Sequence, residues 1–263
     1  MRIKKVSTFL LFILIAFYAK AQGTEAYQSK HFIKDADTLL YRVLYPENFD
    51  ENKKYPILLF LHGAGERGND NKKQLTHGSI LFTSSKIRQD YPAIIIFPQC
   101  AENDYWSKVK VNRKKSPIGL KFKYKKGPTT SLALTMELLD SITAQKYSNK
   151  DQVYVMGLSM GGMGTYEILS RKPNTFAAAI PICGGGDPKT ASNYATKTPI
   201  WTFHGAEDNV VSPQESLTMV SAILKANGKP RFTLYENANH NSWDSAFAES
   251  LLLPWLFSHS LKK

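Results

Sequence analysis

A chain of 263 residues with 43% hydrophobic and 12% aromatic side chains carries enough apolar material for one fair-sized core, which excludes a disordered polymer. The formal charge of +12 makes it basic, but no nucleic-acid-binding motif accompanies the surplus, so no nucleic-acid partner is expected. No internal repeat or low-complexity linker divides it.

Met1-Arg2-Ile3-Lys4-Lys5 is basic, Val6 to Ala19 is almost wholly apolar, and Ala19-Lys20-Ala21 places small residues at both cleavage-site positions. This pattern predicts a secretory signal peptide over residues 1–21, cut after Ala21, and therefore a periplasmic or secreted protein with one domain over residues 22–263. The apolar run falls short of the roughly 20 residues a membrane span needs, so no stable membrane insertion is expected after cleavage. Loss of Arg2, Lys4, Lys5 and Lys20 lowers the formal charge to +8.

Two strand-like runs, Tyr27 to Ile33 and Leu39 to Tyr45, flank Lys34-Asp35-Ala36-Asp37-Thr38 and read as an antiparallel hairpin. The pattern then changes. Pro56 to Leu61, Ala93 to Phe97, Val153 to Met156, Ala177 to Ile182 and Ile200 to Phe203 are nearly continuous apolar runs, as expected of strands covered on both faces in a parallel sheet. Helical stretches alternate with them: one carries Leu132, Met136 and Leu139 on one face, and another starts at Ser212-Pro213-Gln214-Glu215 and stops near Gly228. Phe232 to Tyr235 gives a last strand and Ala246 to Ser258 a last helix. The fold class is therefore α/β, a mostly parallel central sheet with helices on both faces and an N-terminal antiparallel hairpin.

Ligands of such sheets collect at the carboxyl ends of the strands, and that is where the informative residues fall. Gly157-Leu158-Ser159-Met160-Gly161 follows the Val153 run, with glycines two before and two after the serine, as an abrupt strand-to-helix turn requires. His62-Gly63-Ala64-Gly65-Glu66-Arg67-Gly68 follows the Leu58 run, His204-Gly205-Ala206-Glu207-Asp208 the Trp201 run, and Asn239-His240 the last strand. A serine hydroxyl near neutral pH needs a base to take its proton and a carboxylate to hold the imidazole. Ser159, His240 and an acid at 208 or 207 supply those parts in the order Ser, Asp, His. An oxyanion would need two backbone N–H donors, for which Met160 and Ala64 are the candidates.

With Phe97-Pro98-Gln99-Cys100, Pro181-Ile182-Cys183-Gly184-Gly185-Gly186-Asp187 and His240-Asn241-Ser242-Trp243-Asp244, these segments resemble the α/β-hydrolase superfamily. The likeness is to its dienelactone-hydrolase and prolyl-oligopeptidase-like esterases, the phospholipase/carboxylesterase and feruloyl-esterase-like group. The resemblance implies the α/β-hydrolase fold, Ser159, Asp208 and His240 as catalytic triad, and Ala64 with Met160 as oxyanion hole. By its spacing it favours Asp208 over Glu207. It implies a serine carboxylesterase that needs no cofactor and no metal, acting on a small-molecule or polysaccharide-linked ester, acyl or feruloyl. Asn237-Ala238-Asn239 departs from it, since relatives often carry glycine there, and the long basic run is a second departure. The rivals are a serine peptidase of prolyl-oligopeptidase type, with the same triad, and a non-catalytic binding module on this fold.

Trp106, Trp243 and Arg67 are candidates for the substrate pocket, although Arg67 and Glu66 also read as an ion pair bracing their loop. His62 and His204 read as loop-orienting, Asp187 as a turn residue, and His31 and His259 as peripheral; His77 stays unassigned. Nine cations from Lys108 to Lys126 are uninterrupted by any acid, and Lys121-Phe122-Lys123-Tyr124-Lys125 alternates charge with aromatic like an exposed strand or flap. A solvated loop explains such a run, and so does a preference for anionic substrates. Cys100 and Cys183 follow strands that the usual winding separates by about 14 Å, beyond the roughly 7 Å limit for a disulfide, so both are expected free.

Overall fold

The structure, a computed structural model, describes residues 23–262. The expected signal peptide lies outside the described residues. Residues Gln28–Lys34 (β1) and Asp37–Leu44 (β2) form the antiparallel hairpin. Tyr55–Leu61 (β3), Ile94–Pro98 (β4), Ser148–Leu158 (β7), Ala178–Ile182 (β8), Trp201–Gly205 (β9) and Arg231–Tyr235 (β10) complete an eight-stranded sheet in the order β1-β2-β4-β3-β7-β8-β9-β10. β2 joins β4 antiparallel, and every pairing from β4 to β10 is parallel.

The continuous apolar runs have the cause expected of them. In β3, Ile57, Leu59 and Leu61 enter one core layer while Leu58 and Phe60 enter the other, so neither face can be polar. Helices Thr130–Thr143 (α2), Met160–Arg171 (α3) and Pro213–Lys225 (α4) supply the first layer through Leu132, Tyr166 and Met219. Ser85–Asp90 (α1), Trp243–Phe247 (α5) and Leu252–Phe257 (α6) border the second, with Ala246, Leu252 and Leu256 buried in it. None of the helices in the described residues is long and apolar enough to cross a membrane.

One local expectation needs correction. The last helix is two short ones, α5 and α6, because Pro254 has no N–H to continue an upstream helix and fits only near the start of a new one. Helix α4 stops near Gly228 as expected: it ends at Lys225, Asn227 takes the left-handed conformation (φ 62°), and Gly228 N–H closes the end on Ile223 O at 2.9 Å.

The basic run folds as a separate two-stranded hairpin, Val109–Asn112 (β5) with Gly119–Phe122 (β6), in which Lys110 faces Lys121. Its base is fixed by one buried carboxylate. Glu167, on α3, accepts from Ser107 Oγ (2.9 Å), Lys108 N (2.6 Å) and the Arg171 guanidinium (2.6 and 2.8 Å). Beyond β5 the connecting loop meets the turn after β9, where Ile118 N–H donates to Val210 O (2.9 Å) and Ser116 Oγ to Asn209 O (3.1 Å). Cys100 and Cys183 are free and buried, with β3 and β7 between the strands they follow, as expected.

Candidate active site

Four segments meet at the carboxyl edge of the parallel strands. Ser159 follows β7 at φ 54° and ψ −115°, a conformation costly for a residue with a side chain. The turn is held by Ser159 N–H on Ile182 O (2.8 Å) and Met163 N–H on Ser159 O (3.0 Å). A Cβ at Gly161 would stand 2.8 Å from His62 O, so only glycine lets α3 leave β7 this close to β3. The result is a half-exposed hydroxyl at the head of a buried helix.

Ser159 Oγ lies 3.0 Å from His240 Nε2, and His240 Nδ1 lies 2.7 Å from Asp208 Oδ2. Because a carboxylate only accepts, Nδ1 carries the proton and Nε2 offers its lone pair to the serine. Asp208 is 4% exposed. Burial alone would raise its pKa, but hydrogen bonds from His204 and His240, the charge of His240 and the Val210 N–H outweigh that and hold it well below the usual carboxylate range. The neighbouring Glu207 is exposed and only its backbone is engaged, with N–H on Ala238 O at 3.0 Å.

Ala64 and Met160 each open a helical turn, Ala64 the 3-10 turn Ala64–Glu66 and Met160 helix α3. N–H groups at that position have no acceptor inside their own helix and point outward from its positive end. Ala64 lines a cavity of about 170 Å³ together with Glu66, His77, Tyr105, Arg113, Ser159, His240 and Trp243. Larger grooves of about 650 and 710 Å³ lie elsewhere on the surface, but neither is lined by a histidine or a cysteine.

Of the three pocket candidates the structure brings one to the site. Trp243 lines the cavity and stands edge-on to His240, ring centres 5.4 Å apart, and against His77 at 5.2 Å. Trp106 does not line it. The indole is 0% exposed, wedged against Gly164 of α3 and edge-on to His62, because the segment after β4 turns inward where a large apolar side chain gains most from burial. Arg67 does not line it either, and does not pair with Glu66. Consecutive side chains diverge, so Arg67 braces the loop by donating to Ala64 O (2.9 Å) and Asp104 O (3.3 Å), while Glu66 meets His77 at 3.7 Å.

His62 is a loop-holder: Nδ1 bonds Gly63 O (2.6 Å) and Nε2 accepts from Cys100 N (3.0 Å), while burial lowers its pKa to about 4. Asp187 caps the turn that follows it by accepting from Lys189 N. Sequence reasoning missed Tyr105, Arg113 and Ile118 as lining residues; of the nine cations in the basic run, only Arg113 lines the cavity. Lys121, Lys123 and Lys125 do not.

One group among the described residues, Cys183, Asp208 and His240, gathers potential metal-ligand atoms within 4.8 Å of one another. Its Asp208–His240 hydrogen bond already occupies the imidazole nitrogen nearest the acid, which suits proton transfer better than metal binding.

A segment of 79 residues, 30% of this chain and 12% of the other, is 34% identical to the bifunctional acetylxylan esterase/xylanase XynS20E of Neocallimastix patriciarum. Among solved structures, a thermostable esterase superposes with a TM-score of 0.81 at 30% identity, covering 90% of this chain and 64% of its own. A ferulic acid esterase superposes at 0.65 and 17% identity, covering 88% of this chain and 97% of its own, a likeness of fold. The chain thus spans less than two thirds of the first two relatives. The family model described as "Putative esterase" matches residues 38–252, and the chain, with its α/β-hydrolase fold, belongs to that esterase family.

Proposed function

We propose that the protein is an exported serine carboxylesterase in which Ser159, His240 and Asp208 form the catalytic triad and the Ala64 and Met160 N–H groups the oxyanion hole. The observation that carries the reading is the unbroken line of contacts Ser159 Oγ–His240 Nε2 (3.0 Å) and His240 Nδ1–Asp208 Oδ2 (2.7 Å). Ser159 Oγ attacks the ester carbonyl carbon as its proton passes to His240 Nε2. The tetrahedral oxyanion collapses, the C–O bond to the alcohol breaks, and Nε2 returns the proton to the leaving alkoxide. Water then attacks the acyl-enzyme, giving its proton to Nε2, and Ser159 leaves with that proton as the free hydroxyl. Asp208 stays ionised throughout and stabilises the imidazolium.

The cavity beside Ser159 supports a short acyl group, since about 170 Å³ is small against the roughly 300–1,000 Å³ of drug-sized ligand sites. Arg113 on its rim supports an anionic substrate, with charge on the acid or alcohol side of the ester. Residues 1–21 act as the export signal in this reading, leaving residues 22–263 as one catalytic domain in the periplasm or outside the cell.

The test is turnover of p-nitrophenyl acetate, a long-chain p-nitrophenyl ester, methyl ferulate and a proline p-nitroanilide by the wild-type protein and by Ser159→Ala. Acetate turnover that disappears in Ser159→Ala is expected. Preference for the anilide would replace the esterase with a peptidase, and no turnover on any of the four would leave either an ester far from this panel or a binding module. A monosuccinate aryl ester and its neutral analogue, compared in wild type and Arg113→Gln at low salt, decide the anionic preference; equal ratios in both proteins remove it.

A further inference from the structure

Asp208 has four donors, and the one that completes its geometry comes from outside the triad. Oδ1 accepts from Val210 N and Val211 N, both at 2.9 Å, which fixes that oxygen in the turn after β9. Oδ2 accepts from His240 Nδ1 and also from His204 Nε2, at 3.1 Å. His204 is fully buried near the end of β9, four residues before the acid. Its Nε2 faces only acceptors, Asp208 Oδ2 and Val211 O (3.0 Å), so Nε2 must carry a proton. Its Nδ1 is held at 2.7 Å by Ser216 Oγ on α4, and that hydroxyl reaches Gly184 O at 2.9 Å, beyond the end of β8. The ring is thus clamped by a strand, a helix and two loops, and presents one N–H to the oxygen that the base uses.

The two bonds at Oδ1 hold one carboxylate oxygen in the turn, and the His204 bond at Oδ2 holds the other, so that together they set the direction in which the acid meets His240. We infer that His204 is a positioning residue of the proposed esterase, a fourth member that aligns Asp208 so that His240 holds the productive tautomer and distance to Ser159. It acts through Asp208 and does not touch substrate. The inference rests on the triad reading.

The distinguishing test uses two amides of different reach. His204→Gln keeps an N–H near the position of Nε2, whereas His204→Asn places its amide near Nδ1, where Ser216 can satisfy it, and leaves Oδ2 without this donor. Steady-state kinetics on p-nitrophenyl acetate are expressed per active site, with sites counted from the p-nitrophenol burst, and folding is followed by thermal melting. His204→Asn is expected to lower kcat by roughly 10- to 100-fold, the scale of a misplacement approaching 1 Å, with KM within twofold. His204→Gln is expected to recover most of that loss. Equal kcat losses in the two variants, or a kcat for His204→Asn within twofold of wild type, would overturn the positioning role. So would a loss found only in the number of titratable sites or in melting temperature, which is what a purely structural residue predicts. A wild-type protein without ester turnover, or a Ser159→Ala variant that retains it, would instead overturn the triad reading beneath it.

Discussion

Gly205, between His204 and the loop of Asp208, gives the sharpest handle on the position of His240, the base of the proposed triad. A Cβ at position 205 would fall on the carbonyl groups of Ala238 and Asn239, with Ala238 C only 2.7 Å away. Carbon atoms pack best at roughly 3.5–4.0 Å, so Gly205→Ala obliges the two segments to part by about 1 Å. The side that yields is the 236–240 loop, which is mostly exposed, and not β9, which is buried along its whole length. That loop ends in His240, and a 1 Å retreat would stretch its 3.0 Å contact to Ser159 out of hydrogen-bonding range. A misplacement of that size costs on the order of 100-fold in rate, while the strain costs about 1–3 kcal/mol of stability. The assay is kcat on p-nitrophenyl acetate per titrated active site, with a thermal melt beside it; about 1–3 kcal/mol corresponds to a drop of roughly 2–12 °C in a domain of this size. A variant with kcat within twofold of wild type and an unchanged melting temperature would refute the claim that this close approach sets the base.

The two tryptophans separate core from site: Trp106→Ala should lose about 3–5 kcal/mol in urea denaturation, whereas Trp243→Ala should change kcat/KM with a smaller effect on stability, and the reverse pattern would exchange their places. His62 adds a pH dependence. Its pKa falls from 6.5 unfolded to about 4 folded, so its contribution is complete above pH 6.5 and disappears as pH falls toward 4. That is about 3 kcal/mol, which wild type should lose over this window and His62→Gln should not; parallel stability curves would count against it. Burial pushes the Cys100 thiol up to about 12 and Cys183 higher still, so a thiol-specific disulfide reagent should label neither in the native state and both after unfolding. Rapid native labelling, or none after unfolding, contradicts this.

The parallel strands were legible because burial on both faces writes itself as an unbroken apolar run, as in Ile94 to Phe97. The abrupt turn at Ser159 was legible because close approach of backbones demands glycine at fixed spacing, and Gly161 meets that demand. Contacts between distant segments were not. Glu207 and Asp208 are chemically alike and adjacent, and only the turn after β9 decides that one faces solvent and the other His240. Trp106 and Trp243 both follow strand ends, yet the chain turns inward after one and outward after the other. Arg113 looked like eight other cations of its run, since nothing local marks which residue of a hairpin loop leans over a cavity. His204 read as a loop-holder, and its bond to Asp208 depends on the path of the chain between them.

The loop joining β5 to β6 lines the cavity through Arg113 and Ile118, and its hydrogen bonds to Asn209 and Val210 tie it to the turn that holds Asp208, because Val210 also donates to Asp208 Oδ1. In the proposed esterase, a displacement of the hairpin would therefore be felt at Asp208 as well as at the cavity wall.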